Sequence, residues 1–330
     1  MKGPNPFTLW EQDPTKVYGR KDESRIFNSF LNSTMSGQGG ILMINGGPGT
    51  GKTAIMRYFA HLGAKNGLLT PFIRVEKGEG EDVLADKLQH EMGSSVGSRH
   101  TYSIKELVEL ADEEKFGTVF FIDNIDKLKK AQDSISSITE ICRAGWNKKK
   151  VSFILSSTKE FQTDPELTKT IVLKNFEEHE ARELVEESLG KGPPKMGEEC
   201  FNSILNDTNG NPRLFKSVCY YVYDKLRENE KIISKGHYLA YLPHTMSMLS
   251  REWFGRMYQE VPAAEKEILL VIARKEEAHV SDIANELGKK LGPVTALVGR
   301  LKDRGQIVKI DRGRYKMFTK LYGRYVIQRS

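Results

Sequence analysis

Short apolar runs alternate with stretches of helical periodicity along the first half of the chain. Residues between the runs repeat apolar positions at the spacing of amphipathic helices, over about 52–62, 83–90, 104–110 and 134–144. Strands that alternate with helices indicate a parallel sheet with helices on both faces, an α/β fold. The five runs predicted to be its strands are 41–44, 72–75, 118–122, 151–155 and 170–173.

After residue 175 the apolar spacing is helical, and Pro193-Pro194, Asn209-Gly210-Asn211-Pro212 and Pro243 punctuate it. From about residue 261 the pattern predicts helices over 264–273, 279–287 and 293–304. A turn at 288–292 precedes the last of them, which would carry Pro293 at its first position.

Strand-like segments at 306–310 and 315–318, joined by a turn at 311–314, predict a β-hairpin. Three helices followed by a hairpin are typical of a winged helix-turn-helix. We therefore expect an α/β core over 1–175, an all-α domain over 176–260 and a winged-helix domain over 261–330.

The composition is that of a soluble protein, with 38% hydrophobic and 28% charged residues in 330. Apolar runs stay short of the roughly 18 residues that a membrane helix needs. The N-terminus lacks the apolar stretch of a signal peptide. The short apolar runs lead us to expect no membrane partner. The cysteines at 142, 200 and 219 are an odd number and lie far apart, which favours a reduced, cytoplasmic setting.

The positive charge is concentrated at the C-terminal end of the chain. From Lys289 onward there are twelve basic residues against Asp303 and Asp311, although the whole chain carries only +6. The rest of the chain is therefore slightly acidic. Such asymmetry favours contact between the basic segment and a polyanion, whereas a solvated basic face is the plainer alternative.

A glycine-rich segment stands between the first predicted strand and the helix that follows it. Glycines let a loop curl closely around phosphates, and the positive end of the next helix points at them. Lys52 would then neutralise the β- and γ-phosphates, and the Thr53 hydroxyl would bind Mg²⁺. The segment therefore has the pattern of a P-loop, and it predicts binding of ATP and Mg²⁺ rather than a chance turn. Its residues are Gly46, Gly47, Pro48, Gly49, Thr50, Gly51, Lys52, Thr53 and Ala54.

The apolar strand predicted at 118–122 ends in Asp123, about 70 residues after this loop. A carboxylate at the tip of a neighbouring strand can hold Mg²⁺. The segment Val119-Phe120-Phe121-Ile122-Asp123-Asn124-Ile125-Asp126 resembles the Walker B segment of AAA+ ATPases. In those families a Glu after the Asp activates the attacking water. Here Asn124 takes that place, and an amide cannot accept a proton. Either hydrolysis is slow or Asp126 substitutes.

Further segments are similar to other parts of AAA+ ATPases. Tyr18-Gly19-Arg20 resembles the segment before the P-loop that lies near the adenine, and a surface turn is its alternative. Ser157, in Ser156-Ser157-Thr158, falls at the sensor 1 position. Gly210-Asn211-Pro212-Arg213 resembles the motif that opens a lid-domain helix, which would make Arg213 a sensor of the γ-phosphate. The alternative for this motif is an ordinary Asn-Pro helix start with a surface arginine.

For an arginine finger that acts on a neighbouring copy, the candidate is Arg143, which precedes the fourth predicted strand.

The predicted winged helix carries basic residues where such modules meet DNA. The candidates are Thr295, Arg300, Lys302, Arg312, Arg314 and Lys316, with Arg304, Lys309, Lys320, Arg324 and Arg329 widening the positive field. The predicted recognition helix also carries the apolar segment Ala296-Leu297-Val298, so docking of a protein is the alternative. Arg324 fits a dimer contact equally well.

Taken together, these segments resemble archaeal AAA+ ATPases, of the origin-recognition (replication-initiator) and STAND-like branches. The resemblance implies an ATP-switched DNA-binding protein, acting in replication initiation or on mobile elements and able to form homo-oligomers through its ATPase core. A STAND-type regulatory switch that docks a protein partner is the second hypothesis. Asn124 counts against a third, a processive motor.

Lys52→Ala is expected to abolish tight ATP binding, because it removes the lysine that the P-loop directs at the phosphates. Calorimetric titration of wild type and variant with ATP tests this. Unchanged affinity and unchanged ATP-linked behaviour in the variant would contradict the P-loop assignment.

Overall fold

The computed structural model describes residues 3–9, 13–93, 102–113, 117–145 and 150–329. The chain forms two compact units. The first, here the α/β unit, comprises Gln12–Gly47 and Gly51–Lys174. The second, here the helical unit, comprises Met1–Glu11, Pro48–Thr50 and Asn175–Ser330.

The α/β unit is built on a five-stranded parallel sheet, as the alternating pattern predicted. Its strands run in the order β2-β3-β4-β1-β5. Two of the three interior strands, β3 and β4, are buried along their whole length, which is expected of a parallel sheet that helices cover on both faces. The strands are β1 (Ile41–Gly46), β2 (Phe72–Arg74), β3 (Thr118–Asp123), β4 (Val151–Ser157) and β5 (Thr168–Leu173).

Alternate side chains of the interior strands enter two separate cores, because successive residues point to opposite faces. Ile41 and Met43 of β1 pack into one core, whereas Leu42 and Ile44 pack into the other. The helices of the unit are α1 (Lys21–Met35), α2 (Lys52–Lys65), α3 (Glu81–Glu91), α4 (Ile104–Glu113) and α5 (Ala131–Gly145).

Between residues 175 and 260, the helical unit is mostly α-helical. Two two-residue strands, β6 (Lys195–Met196) and β7 (Ile232–Ile233), pair with each other, and the helical pattern did not predict them. Pro243 lies inside α9, so the prediction of a break there was wrong. It is exposed, where water can replace the hydrogen bond that proline removes. The helices are α6 (Glu178–Leu189), α7 (Glu198–Thr208), α8 (Pro212–Asp224), α9 (Lys235–Leu249) and α10 (Gly255–Gln259), with a π-helical turn at Ser250–Phe254 before α10.

The last part of the helical unit contains the predicted helices and hairpin, together with two further elements, β8 and α14. The strands form an antiparallel sheet in the order β8-β10-β9. The elements are α11 (Ala263–Lys275), β8 (Glu277–His279), α12 (Val280–Glu286), α13 (Leu291–Asp303), β9 (Ile307–Asp311), β10 (Arg314–Met317) and α14 (Lys320–Arg329).

The start of α13 differs from the prediction. The helix begins at Leu291, so the predicted turn ends earlier and Pro293 is the third residue of the helix rather than the first. Proline is tolerated there because the N–H groups of the first helical turn have no partner within the helix. Among the described residues, no helix is long and apolar enough to cross a membrane.

The Gly-Asn-Pro segment makes a tight connection between α7 and α8. Asn209 and Gly210 both have positive φ, 51° and 64°, and end α7. Asn211 caps α8 with its side chain, and Pro212 occupies the first helical position, where its missing N–H costs least. A Cβ on Gly210 would lie 2.3 Å from the carbonyl oxygen of Phe176, so only glycine fits.

Gly210→Ala is therefore expected to destabilise the protein by about 3 kcal/mol, since backbone strain and a close contact add. Gly288→Ala is the matched control. Gly288 also has positive φ, 61°, but nothing lies within 4 Å of its Cβ position. The control should cost only about 1–2 kcal/mol. Equal losses in denaturant unfolding would show that the approach to Phe176 contributes nothing.

Candidate nucleotide site and basic surface

The glycine-rich loop joins the end of β1 to the start of α2. Gly51 immediately before the helix has φ of 97°, a conformation that favours glycine. The Lys52 ammonium donates to the carbonyl oxygens of Gly46 at 2.7 Å and Gly47 at 3.0 Å. Burial lowers the pKa of Lys52 to about 8, and the carboxylates of Asp126 and Asp123 oppose that shift.

The tip of the loop, Pro48–Thr50, groups with the helical unit. Within that unit, Asn211 donates its Nδ2 to the Pro48 carbonyl at 2.9 Å, and the Arg213 N–H donates to the Gly49 carbonyl at 3.1 Å. The Arg213 guanidinium lies over the Trp253 ring, 4.5 Å from its centre. The Asn211 side chain and the Arg213 backbone thus hold the loop tip, while the charged end of Arg213 is stacked on an aromatic ring.

Asp123 is fully buried at the end of β3 and accepts three hydrogen bonds. Its Oδ2 accepts from Thr53 Oγ1 at 2.8 Å and from Arg74 Nε at 3.1 Å, and its Oδ1 accepts from Ser156 Oγ at 2.6 Å. The two residues predicted to hold Mg²⁺, Thr53 and Asp123, therefore meet. A hydroxyl and a carboxylate are the hard oxygen ligands that Mg²⁺ takes, so the residues fit this ion.

Sequence reasoning missed Arg74 and Ser156. Arg74 ends β2 directly opposite Asp123, and Ser156 lies near the end of β4. Because the carboxyl ends of parallel strands meet at one edge of a sheet, polar residues at strand ends were the available signal. Ser157, the residue predicted at the sensor 1 position, does not bond to Asp123 as Ser156 does. Its hydroxyl bonds to the backbone of Lys159.

Asn124 has left-handed backbone angles, φ 64° and ψ 46°, and its N–H donates to Ser156 Oγ at 2.8 Å. Asparagine tolerates this conformation far better than glutamate, for which we expect a cost of about 1 kcal/mol. The local turn thus gives a structural reason for Asn at this position. Asp126 lies on the short 3-10 helix that follows, Ile125–Lys127.

Two of the remaining nucleotide candidates, Arg20 and Arg143, have structural partners in the α/β unit. The buried Arg20 guanidinium donates to the Lys174 carbonyl at 2.8 Å and pairs with Glu23 at 3.3 Å. Tyr18 and Gly19 precede it and are half-buried. Arg143, the candidate arginine finger, pairs with Asp164 at 2.5 Å. Their roles toward a nucleotide stay predictions.

The basic candidates of the C-terminal part lie on α13 and on the hairpin β9–β10. Thr295, Arg300, Lys302, Arg312 and Arg314 are exposed, and Lys316 is half-buried. Several other charges are engaged within the helical unit. The buried Glu265 of α11 pairs with Arg304 and lies 4.0 Å from Arg300. Arg324 pairs with Asp207 at 2.9 Å, so it is less available for the dimer contact that the sequence allowed.

Comparison with known proteins agrees with this fold and this loop. Residues 16–154 match the family model described as the AAA ATPase domain. The Orc1 protein of Aeropyrum pernix, solved in complex with DNA, shares 16% identity and a TM-score of 0.58, over 99% of this chain and 97% of its own. Cdc6p of Pyrobaculum aerophilum shares 15% identity and a TM-score of 0.56, over 99% and 98%. No curated protein matches the sequence.

The class is therefore that of P-loop ATPases with an AAA ATPase domain, as the Walker segments indicated. More particularly, residues 16–154 carry the AAA ATPase domain, and the fold of the chain is similar to that of the archaeal Orc1 and Cdc6 proteins. At 15–16% identity the structural likeness shows the fold alone.

Ser156→Ala is expected to destabilise the protein by about 1–3 kcal/mol, because Oδ1 of Asp123 and the Asn124 N–H each lose the hydrogen bond that they make with the Ser156 hydroxyl. It should also weaken MgATP binding, since the Asp123 carboxylate loses its orientation. Unfolding in denaturant and titration with MgATP measure the two effects.

Ser152→Ala is the matched control for this variant. Ser152 is a buried serine of the same strand, bonded to Thr34 and to the Gly40 N–H. It should lose stability without losing ATP affinity. Equal ATP affinities in the two variants would contradict a role of Ser156 in the site.

Proposed function

We propose that this ATPase is an ATP-switched DNA-binding protein, similar in action to replication initiators or to ATPases of mobile elements. The observation that carries the proposal is the separation of buried apolar residues from exposed basic residues on α13. Val294, Val298 and Leu301 are buried, while Arg300 and Lys302 are exposed on the same helix. A helix that buries one face and presents cations on the other fits contact with a polyanion.

We interpret α11, α12, α13 and the β8-β10-β9 sheet as a winged helix, with α13 as recognition helix and β9–β10 as wing. In such modules the recognition helix enters the major groove and the wing reaches the backbone or the minor groove. The exposed Arg312 and Arg314 lie at the turn of the hairpin, where a wing would meet phosphates. The similar Orc1 protein of Aeropyrum pernix was solved in complex with DNA, which supports the proposal that this chain binds DNA.

Glu265 refines which cations are available to DNA. Its carboxylate is fully buried and pairs with Arg304 of α13. A buried carboxylate needs a cation beside it, so Arg304 stays paired with Glu265. The same carboxylate partly offsets the charge of Arg300, which lies 4.0 Å away. We therefore assign the main phosphate contacts to Lys302, Arg312 and Arg314.

Nucleotide would act through the P-loop and Mg²⁺. Lys52, Thr53 and Asp123 are the residues that would bind them, and Arg213 would relay the presence of the γ-phosphate. Hydrolysis would be slow, well below the median enzyme turnover of about 10 per second, because the Asn124 amide directly after Asp123 cannot accept a proton and a base would have to come from another position. Slow hydrolysis suits a switch better than a motor. Assembly of several copies through the ATPase core would then add their DNA affinities.

A second candidate function is a STAND-type regulatory switch that docks a protein. Leu291 at the start of α13 and Ile310 on the hairpin are 54% and 42% exposed. Exposed apolar side chains on the same two elements favour a protein partner over DNA. Salt dependence separates the two, since binding to phosphates releases counterions.

The proposal predicts binding to duplex DNA that is tighter with ATP than with ADP and that falls steeply as salt rises. Arg312→Ala, Arg314→Ala and Lys302→Ala should each reduce the slope of log affinity against log salt by roughly one. Fluorescence anisotropy of a labelled duplex, with ATP, ADP or no nucleotide across a salt series, measures both effects.

Lys235→Ala is the control, because Lys235 is an exposed lysine at the start of α9, outside the winged-helix segment. Its slope should match that of wild type. No binding by the full chain at low salt, with or without ATP, would overturn the DNA proposal and favour the protein-docking switch.

A further inference from the structure

Asp126 is an acidic side chain at the carboxyl edge of the sheet whose hydrogen bonding is only half used. Its Oδ2 accepts from the Thr158 hydroxyl at 2.6 Å. Its Oδ1 is buried and has no hydrogen-bond partner among the described residues. A buried carboxylate oxygen without a donor is costly, which suggests that a ligand or a water molecule completes it.

The P-loop leaves the sheet at the same edge as the pair of Asp126 and Thr158. β1 pairs in parallel with β4, and Asn45 near the end of β1 lies opposite Ser157, the residue before Thr158. Because the P-loop follows β1 directly, Asp126 and Thr158 lie at the edge of the sheet where the phosphates would bind.

The neighbouring side chains are unsuited to accept a proton. Asp123 already accepts from Thr53, Arg74 and Ser156, and it is the residue that would hold Mg²⁺. Asn124 is an amide on a left-handed turn. The turn places Asp126 two residues further along, on the 3-10 helix, and Thr158 beyond β4 fixes its orientation.

We propose that Asp126 is the catalytic base of ATP hydrolysis, and that Thr158 is the residue that positions it. This inference rests on the proposed ATPase function. The oxygen of a water molecule forms the new bond to the γ-phosphorus. The bond from that phosphorus to the β–γ bridging oxygen breaks, and its electron pair leaves on ADP. The proton lost by the water passes to the Asp126 carboxylate and then to solvent.

The plainer reading is that the pair of Asp126 and Thr158 only ties the 3-10 helix to the end of β4. Separate measurement of binding and chemistry distinguishes the two readings. A base contributes to the chemical step by roughly 10²- to 10⁴-fold, whereas a structural tie affects folding and binding together.

The test compares Asp126→Asn with wild type in single-turnover hydrolysis of ATP and in calorimetric titration with ATP. We expect Asp126→Asn to lose at least about 100-fold in hydrolysis rate, with an unchanged dissociation constant for ATP. Asp133→Asn, a change at an exposed aspartate of α5, is the matched control and should keep both values.

Thr158 is tested by a pair of substitutions. Thr158→Val removes the hydroxyl and should lower the hydrolysis rate by about tenfold with unchanged ATP affinity, whereas Thr158→Ser keeps the hydroxyl and should restore the rate. Asn124→Glu should slow hydrolysis, because glutamate disfavours the left-handed turn that places Asp126.

Three results would overturn the inference while leaving ATP binding intact: hydrolysis by Asp126→Asn at the wild-type rate, loss of ATP affinity in step with the rate, or faster hydrolysis by Asn124→Glu. A wild-type chain that binds ATP without hydrolysing it would also overturn the inference, and it would remove the ATPase part of the proposed function. Failure of the wild-type chain to bind ATP would instead overturn the proposed function itself.

Discussion

The buried carboxylate of Asp123 is the constraint on which the α/β unit depends. A charge removed from water is tolerated only when donors surround it, and here they come from α2, β2 and β4. These donors converge because parallel strands end at the same edge of the sheet and because β3 lies between β2 and β4. The hydrogen bonds to Asp123 can therefore form only with this order of the strands.

The hydrogen bonds to Asp123 also affect how this residue would bind a metal ion. Arg74 donates to Oδ2 of Asp123, the same oxygen that accepts from Thr53. Arg74 is 46% exposed, so water screens its pairing with Asp123. We expect Mg²⁺ and Arg74 to compete for Asp123, which would temper metal affinity in this chain.

In the helical unit, net charge alone overstates the basic surface. Glu265 pairs with Arg304, Asp207 with Arg324 and Glu267 with Lys289, so at least three of the twelve basic residues of the C-terminal segment are ion-paired within the unit. Arg312 and Arg314 remain exposed on a short turn. A polyanion would therefore meet a smaller and more localised patch than the composition indicates.

The sequence by itself determined the parallel sheet, the P-loop and the meeting of Thr53 with Asp123, because hydrophobic periodicity and glycine spacing are local signals that the tertiary structure obeyed. It also predicted the helices and hairpin of the C-terminal segment, although not β8 or α14. Only the tertiary structure decided that Ser156, Arg74 and Thr158 orient the acidic residues. Their partners lie 32 to 49 positions away along the chain, and such pairing depends on strand order, which no local pattern encodes.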